Sequence, residues 1–303
     1  MNIILYSLVI FIWSTTYYAI KMQIGTVAPL WSVTYRFGLA TIILLLFCFI
    51  TKRSLRFNFR THLIIIAQGC LLFSGNYLLF YLSAPYMITG LMAIIYATLV
   101  MMNMLHSRLF FRTTITAQVL MGCVLGLFGL CLVFWSEIKA LQINTSHLHY
   151  LLLGVVMSLL ATLLASWGNM IATYHQRKEL PVVETNALGM FYGTVALIIV
   201  ACFMDEKPTF DWHIGYLSAL LYLSVFGSVL AFGAYVTLLK KIGPTRAAYS
   251  FVVIPILALT ISTFLEGFKW LPSTVVGVIL ILLGNVLVLY RKKASQLIKT
   301  VSG

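Results

Sequence analysis

Residues 113–135 read TTITAQVLMGCVLGLFGLCLVFW, and residues 272–291 read PSTVVGVILILLGNVLVLYR. The first stretch has no charged residue, and the second has one only at its last position. About 20 apolar residues cross the hydrocarbon core of a bilayer as an α-helix. Because a backbone that faces lipid must satisfy its own hydrogen bonds, runs of this length are predicted to be helices. These two stretches therefore predict a membrane protein.

The composition of the whole chain agrees with these two stretches. Of its 303 residues, 61% are hydrophobic and 9% are charged, whereas soluble domains are roughly 45–50% apolar and about 25% charged. An ordinary soluble enzyme is therefore excluded.

The first apolar run begins at Asn2 without a basic leader, so we expect a retained span and not a signal peptide. All the cysteines lie in apolar runs without a C-x-x-C pair, which predicts reduced packing residues at Cys48, Cys70, Cys123, Cys131 and Cys202.

Short stretches of polar and charged residues divide the chain into ten apolar runs that are long enough to cross a membrane. Most prolines stand at the start of a run or between two runs, where helices tolerate them. Only Pro255 falls in the middle of a run. The sequence thus predicts an all-α integral membrane protein with ten spans, at residues 2–22, 30–50, 61–83, 86–108, 113–135, 147–172, 183–203, 212–239, 243–265 and 272–291.

The basic residues test this division, because cytoplasmic loops are enriched in lysine and arginine. With the N-terminus inside, the even-numbered connections and the C-terminal tail carry fifteen of them: Lys52, Arg53, Arg56, Arg60, Arg108, Arg112, Arg177, Lys178, Lys240, Lys241, Arg246, Arg291, Lys292, Lys293 and Lys299. The other side carries four, Lys21, Lys139, Lys207 and Lys269, with five of the seven acidic residues. Both termini are therefore predicted to be cytoplasmic.

The ten spans form two copies of five. A shift of 154 or 155 positions places Trp13-Ser14 on Trp167-Gly168, Phe37-Gly38 on Tyr192-Gly193, Tyr81 on Tyr235, Ala93 on Ala248, Gly122 on Gly277 and Gly129 on Gly284. The predicted halves are residues 1–140 and 141–303. Because five is odd, the second copy enters the membrane in the opposite orientation. Such inverted repeats are typical of secondary transporters, which expose a midplane site to each side in turn; a duplication kept only for packing is the alternative.

Several short patterns carry a resemblance to a known family. Residues 12–21 read IWSTTYYAIK, with a lysine eight positions after the tryptophan; Arg36-Phe37 follows in the second span; GPTRAA at 243–248 leads to Pro255 and Glu266; and Gly277 and Gly284 lie in the tenth span. In this order the chain resembles, over almost its whole length, the EamA type of the drug/metabolite transporter superfamily. The first copy departs from the family pattern at two positions. By the repeat shift, Phe111 at the end of the fourth span is the equivalent of Glu266, and Val100 within that span is the equivalent of Pro255.

The resemblance implies small-molecule transport through a cavity between spans 1–4 and 6–9, buttressed by spans 5 and 10. It does not name the substrate, because members of the superfamily carry amino acids, sugars, nucleotide derivatives, polyamines and drugs. The compact form with almost no soluble extension is typical of a bacterial inner-membrane protein.

No aspartate or glutamate occurs in the middle of any predicted span. Carboxylates inside the membrane are the usual proton relays and the usual partners of cationic drugs. Their absence favours uniport or exchange over proton-coupled export, which remains the alternative. Glu184 and Glu266 are the nearest candidates, and both are expected to be solvated charges at helix ends.

Trp13, Tyr17 and Lys21 recur at i, i+4 and i+8 and so share one face of the first span. Trp167 and His175 are the counterparts of Trp13 and Lys21 in the second copy. The tryptophans lie too deep for an interfacial belt, and they are predicted with Tyr17 to line the cavity. Lys21 and His175 are predicted to stand at its outer and inner mouths as gating residues.

Further candidate substrate-binding residues lie on spans three, four and eight, at Asn76, Tyr77, Tyr81, Tyr96 and Tyr235. Aromatic walls with a few amide and hydroxyl groups suit a neutral or zwitterionic, partly apolar ligand. For Asn76, a hydrogen bond between packed helices is an equal alternative.

Arg36 lies about six residues inside the second span, or roughly 9 Å from its outer end. It either snorkels to the surface or faces the cavity and binds a carboxylate or phosphate.

Pro255 should bend the ninth span and is predicted as a gating hinge, with a static kink as the alternative. Gly122, Gly126 and Gly129 mark a close-packing face, either for a dimer or for a helix of the same chain. The protein is accordingly expected to be a monomer or a homodimer in the lipid bilayer.

The sequence contains no H-E-x-x-H, P-loop, G-x-S-x-G or G-x-G-x-x-G motif. We therefore expect no enzyme activity, no cofactor and no metal site, and the basic residues at span ends indicate topology and not a nucleic-acid partner. The predicted function is alternating-access transport of a small, amino-acid-like or otherwise neutral or zwitterionic metabolite. A non-transporting membrane scaffold or sensor is the alternative from another class.

Overall fold

The computed structural model describes residues 2–140, 145–242 and 249–289, and every regular element within these ranges is a helix. Seven spans are single helices: span 1 is Asn2–Lys21, span 2 Pro29–Ile50, span 5 Ala117–Ala140, span 6 Thr145–Arg177, span 7 Val182–Phe203, span 9 Ser250–Leu265 and span 10 Pro272–Leu289. Three spans join consecutive helical segments. Span 3 consists of Phe59–Gln68, Gly69–Gly75 and Asn76–Ser83, span 4 of Thr89–Ala97 and Leu99–Phe111, and span 8 of Ile214–Leu221, Tyr222–Leu230 and Ala231–Ile242.

Nine of the helices in the described ranges are long and apolar enough to cross a membrane, and span 9 is a shorter apolar helix of 16 residues. Residues 243–248, where span 9 is predicted to begin, lie outside the described residues. The protein is an all-α integral membrane protein, as the sequence predicts. Span 6 continues to Arg177, five residues beyond its predicted end at 172, because hydropathy marks where the apolar stretch ends and not where the helix ends.

The contacts between spans follow the two-copy plan. Span 2 packs against span 7, and span 5 packs against span 10, so these pairs join equivalent helices. Span 1 packs against spans 8 and 9, and its copy, span 6, packs against spans 3 and 4. Exchanging the two halves therefore maps the 2–7 and 5–10 contacts onto themselves and the contacts of span 1 onto those of span 6. With five spans in each half, this arrangement is the inverted repeat that the sequence predicts.

Two spans contain a π-helical segment at matching places, Gly69–Gly75 in span 3 and Tyr222–Leu230 in span 8. Adding the repeat shift of 154 to the first segment gives 223–229, which lies inside the second. π-Helical turns are rare and occur frequently at functional sites. Their matching positions indicate that the duplicated unit carries this irregularity in both copies.

Spans 5 and 10 meet through glycines. A Cβ atom at Gly122 would lie 2.6 Å from the carbonyl oxygen of Gly284, and one at Gly129 would lie 2.5 Å from that of Gly277. The glycines therefore let the two backbones touch, as small residues do in membrane helix pairs. The sequence leaves open whether this face packs within the chain or in a dimer, and the structure places it against span 10 of the same chain.

Gly129→Ala is expected to destabilise the protein by at least about 1 kcal/mol, because the new methyl group would collide with backbone that cannot move without shifting a whole helix. Thermal unfolding of the purified protein in detergent measures the effect. Gly233→Ala is the matched control, since a Cβ there meets nothing within 4 Å. Equal unfolding temperatures for the two variants would contradict the packing described here.

Candidate functional site

A cavity of about 120 Å³ lies inside the bundle, between spans 1, 3, 4, 6, 8 and 9. Its walls are mainly aromatic and apolar, with a few hydroxyl and amide groups. They are formed by Trp13, Thr16, Tyr17, Ile20, Leu72, Asn76, Tyr77, Phe80, Ala93, Tyr96, Ala97, Leu99, Asn169, Phe232, Tyr235, Phe251, Ile254 and Pro255. The cavity thus contains seven of the residues that the sequence predicts for the site: Trp13, Tyr17, Asn76, Tyr77, Tyr96, Tyr235 and Pro255.

Trp13 is the centre of an aromatic cluster in the cavity wall. Its ring stacks on Phe251 with centroids 5.4 Å apart, and it contacts Tyr235 at 5.2 Å and Phe232 at 5.5 Å. The indole nitrogen donates a hydrogen bond of 3.3 Å to the carbonyl of Gly227, in the π-helical segment of span 8. These contacts fix the ring, so Trp13 presents a large and rigid apolar surface to whatever enters the cavity.

Four tyrosine hydroxyls in the cavity have no hydrogen-bond partner among the described residues: those of Tyr17, Tyr77, Tyr96 and Tyr235. The amide of Asn76 donates to the carbonyl of Leu72 at 3.2 Å, and its own oxygen is buried without a partner in the described part of the chain. Buried polar groups are nearly always hydrogen-bonded. Such unused donors and acceptors are available to a ligand.

An ion pair closes the end of the cavity towards which span 1 runs, which we call the far end. Lys21 Nζ lies 2.6 Å from Glu266 Oε1. The other oxygen of Glu266 accepts hydrogen bonds from the backbone nitrogen and the hydroxyl of Thr89 and, at 2.6 Å, from the hydroxyl of Ser262. We call these four residues the far-end network, and it ties spans 1, 4 and 9 together. The neighbouring cavity residues Tyr17, Ile20, Phe80 and Ala93 are buried, whereas Trp13, Phe232, Tyr235 and Phe251 towards the opposite end are half-buried.

The expectation that Glu266 and Glu184 are solvated charges is wrong. The Glu266 side chain is 1% exposed, and that of Glu184 is 7% exposed and lies 3.1 Å from Arg53 Nη1. Glu266 follows the last residue of span 9. Burial raises its pKa, but hydrogen bonds from Lys21, Ser262 and Thr89 outweigh this and hold the pKa below its usual value. The carboxyl group is therefore ionised at neutral pH.

Arg36 and Tyr81 lie outside the cavity lining but directly behind it. The guanidinium carbon of Arg36 lies 4.6 Å from the ring centroid of Tyr77, which lines the cavity, and its Nε donates to the hydroxyl of Ser228 at 3.1 Å. The residue is 1% exposed, so it does not snorkel. Tyr81 is fully buried and donates a hydrogen bond of 2.6 Å to Gln23.

Two residues predicted for the site lie elsewhere. Trp167 is 38% exposed and borders a separate apolar groove of about 440 Å³ between spans 3, 4 and 6, where its indole nitrogen donates to His106 at 3.2 Å. His175 is buried near the end of span 6, and both ring nitrogens have no hydrogen-bond partner among the described residues. Within the same part of the chain, no group of three His, Cys, Asp or Glu side chains could hold a metal ion.

Sequence reasoning missed Asn169, Phe80, Phe232 and Phe251 as cavity residues. Three of them had a detectable signal. Phe80 follows Tyr77 by three positions, Phe232 precedes Tyr235 by three, and Phe251 precedes Pro255 by four, so each shares a helix face with a predicted residue. Asn169 had none, because the repeat shift places it on Thr15, which hydrogen-bonds Tyr222 and does not line the cavity.

A bundle of apolar helices with inverted repeats around a central cavity defines the class of membrane transporters. The model of the EamA-like transporter family matches residues 1–135 and again residues 152–290. The chain belongs to this family and thus to the drug/metabolite transporter superfamily. The boundary between residues 140 and 141 stays a prediction.

Curated relatives are similar over most of their length. The chain is 28% identical to the uncharacterized inner membrane transporter YedA of Escherichia coli (strain K12), covering 91% of this chain and 89% of that protein. It is 24% identical to protein PagO of Salmonella typhimurium, covering 94% and 92%, and 25% identical to the uncharacterized transporter YoaV of Bacillus subtilis, covering 82% of each. A solved crystal structure shares the fold, with a TM-score of 0.67 at 13% identity over 100% of this chain and 99% of that one.

Proposed function

We propose that this protein is a secondary transporter of a small, amino-acid-like or otherwise neutral or zwitterionic, partly apolar solute. The observation that carries the proposal is the set of unpartnered tyrosine hydroxyls in an aromatic cavity. Ligand sites of this kind bury an apolar body against aromatic rings and orient it with a few polar groups. A scaffold has no need of such a cavity.

We propose alternating access as the mechanism. The far-end network holds spans 1, 4 and 9 together, and the half-buried residues towards the opposite end leave that side as the entrance. When the network separates, the two inverted halves can exchange conformations and open the far end instead. Pro255 lines the cavity within span 9, where it removes a backbone hydrogen bond, so it is the proposed hinge for this movement.

We propose uniport or exchange without proton coupling. No carboxylate lines the cavity within the described residues, and the depressed pKa of Glu266 makes it a poor proton carrier near neutral pH. We also propose that the membrane is a bacterial inner membrane with both termini in the cytoplasm, which the distribution of lysine and arginine supports. One chain encloses the cavity, so the proposed transporting unit is a monomer.

Flux into proteoliposomes tests the proposal. Labelled amino acids, nucleosides and sugars are supplied to vesicles that contain the purified protein, with and without an imposed pH gradient. Uptake of one class without the gradient, and absent from protein-free liposomes, is the expected result. Uptake that requires the gradient would replace uniport or exchange by the proton-coupled alternative. Absence of uptake across a broad panel would favour a non-transporting scaffold or sensor.

A further inference from the structure

Arg36 is a cation in the middle of the bundle without a counter-charge. Its side chain is fully enclosed, at 1% exposure. Within the described residues the ion pairs are Lys21–Glu266 and Arg53–Glu184, and Arg36 takes part in neither. A buried charge without a partner is costly, and ionisable groups inside membrane spans are generally kept for function.

The contacts of Arg36 leave part of its guanidinium unused. Nε donates to the hydroxyl of Ser228, and the guanidinium carbon lies 4.6 Å from the ring centroid of Tyr77 and 5.3 Å from that of Phe37. Ring faces attract the cation but replace few of its N–H hydrogen bonds. Nη1 is buried and has no hydrogen-bond partner among the described residues.

A second unused donor belongs to the same group of residues. Gln23 is 2% exposed, and its oxygen accepts the hydrogen bond from Tyr81, whose hydroxyl also interacts with the Arg36 guanidinium. The Nε2 of Gln23 is buried without a partner in the described part of the chain. Arg36, Gln23, Tyr81 and Ser228, which we call the arginine cluster, thus combine one positive charge and open N–H groups with no carboxylate. This is the chemistry that binds an oxyanion.

The arginine cluster lies against the cavity wall. The Arg36 guanidinium lies over the ring of Tyr77, and Tyr77 itself lines the cavity. Thr16 also lines the cavity, and it contacts the same glycine as Arg36. A Cβ atom placed on Gly227 would lie 2.9 Å from the methyl group of Thr16 and 3.4 Å from Arg36 Nη2. One layer of side chains therefore separates the unused donors from the ligand space.

We propose that the transported solute carries a carboxylate, which Arg36 and Gln23 bind when the intervening side chains of Tyr77 and Thr16 shift during the transport cycle, while the aromatic cavity holds the apolar remainder. This inference rests on the proposed function and narrows its substrate class to carboxylic acids, including zwitterionic amino acids. The carboxylate supplies the missing counter-charge, so Arg36 makes its best interactions only when substrate is bound. Selectivity follows, because an ester or amide of the same solute leaves the guanidinium unpaired.

The test compares an acid with its own amide, using phenylalanine and other apolar amino or keto acids against the corresponding amides. The wild-type protein is expected to transport the acid about tenfold or more faster than the amide, the usual effect of one charge-assisted hydrogen bond. Arg36→Gln is expected to lose this preference, with a ratio near one, and Arg36→Lys to retain part of it. Arg177→Gln is the matched control, since the Arg177 guanidinium lies 4.0 Å from the ring centroid of Phe111, outside the cavity lining.

Thermal unfolding in detergent separates the possible failures. Carboxylic acids are expected to raise the unfolding temperature of the wild type but not of Arg36→Gln, with chloride and inorganic phosphate as probes for a simple anion site. The unliganded Arg36→Gln variant is expected to be at least as stable as the wild type, because it removes an unpaired charge. Equal transport of acid and amide by the wild type would overturn the inference and leave the proposed function intact. A strongly destabilised Arg36→Gln, or stabilisation by no carboxylate or by inorganic anions only, would also overturn it, whereas absence of any flux counts against the proposed function itself.

Discussion

Replacing Trp13 by alanine is expected to reduce transport about thirtyfold or more, the largest loss among the aromatic residues of the cavity. Trp13 contacts three other rings and faces the ligand space. Aromatic residues at the centre of a binding site commonly contribute about 2 kcal/mol or more, which corresponds to this factor. Trp13→Phe keeps an aromatic surface and is expected to retain most of the activity.

The matched control for Trp13 is its repeat counterpart. Trp167 is a tryptophan at the equivalent position of the second copy, but it borders the groove outside the cavity. Trp167→Ala is therefore expected to change the initial rate of uptake less than about threefold, below the 1 kcal/mol expected of a binding residue. Both variants are first checked for an unaltered unfolding temperature. Equal losses of flux would mean that both tryptophans contact the solute during the cycle, as the sequence predicts.

The fold of this protein could be predicted from sequence because each step depends on local composition. Apolar length determines the spans, and an odd number of spans in each repeat determines the inversion. The glycines of spans 5 and 10 also predict close packing, because Gly129 and Gly284 occupy equivalent positions in the two copies. Their partner was not predictable, because helix faces in one chain and in a dimer use the same small residues.

The site was less predictable because it depends on contacts between distant residues. The repeat shift makes Trp13 and Trp167 equivalent in sequence, yet span 1 gives four residues to the cavity and span 6 gives one. An inverted repeat opens one end at a time, so its copies cannot have identical surroundings in a single conformation. Likewise Glu266 was expected at a solvated helix end, whereas Lys21 and Thr89, both far away in sequence, enclose it.

The second large effect is expected at the far-end network. Glu266→Gln removes the acceptor charge from a buried network with one ion pair, and charge-assisted hydrogen bonds contribute about 2 kcal/mol in such places. The ratio of closed to open far ends should therefore fall about thirtyfold. Lys21→Gln should have a smaller effect, because the Lys21 side chain is 45% exposed whereas that of Glu266 is 1% exposed. Lys269→Gln, an exposed lysine in the same loop as Glu266, is the control.

Cysteine labelling measures this opening. Ile20→Cys, introduced after replacement of the five native cysteines, places a thiol in the buried far end of the cavity. A membrane-impermeant maleimide is added on the side that the far end faces. Labelling is expected to be slow with the intact network, faster in Lys21→Gln and fastest in Glu266→Gln. Equal rates in the two variants would show that the Thr89 and Ser262 hydrogen bonds contribute little. The reverse order would show that the buried Glu266 carboxylate, left without its cation in Lys21→Gln, destabilises the closed end more than its own replacement does.

The pH dependence of the same labelling reaction decides whether Glu266 can carry protons. Its pKa lies below the ordinary value of 4.5 in the folded protein. A group with a depressed pKa stabilises the closed end fully above 4.5 and loses that contribution as the pH falls through the lower, folded-state value. After correction for thiol reactivity, labelling should therefore be constant from about pH 8 to about pH 5 and rise only below 4.5, and Glu266→Gln should show no such rise. A rise between about pH 8 and about pH 6 that vanishes in Glu266→Gln would make this carboxylate a proton site at working pH, and proton coupling would then replace uniport or exchange.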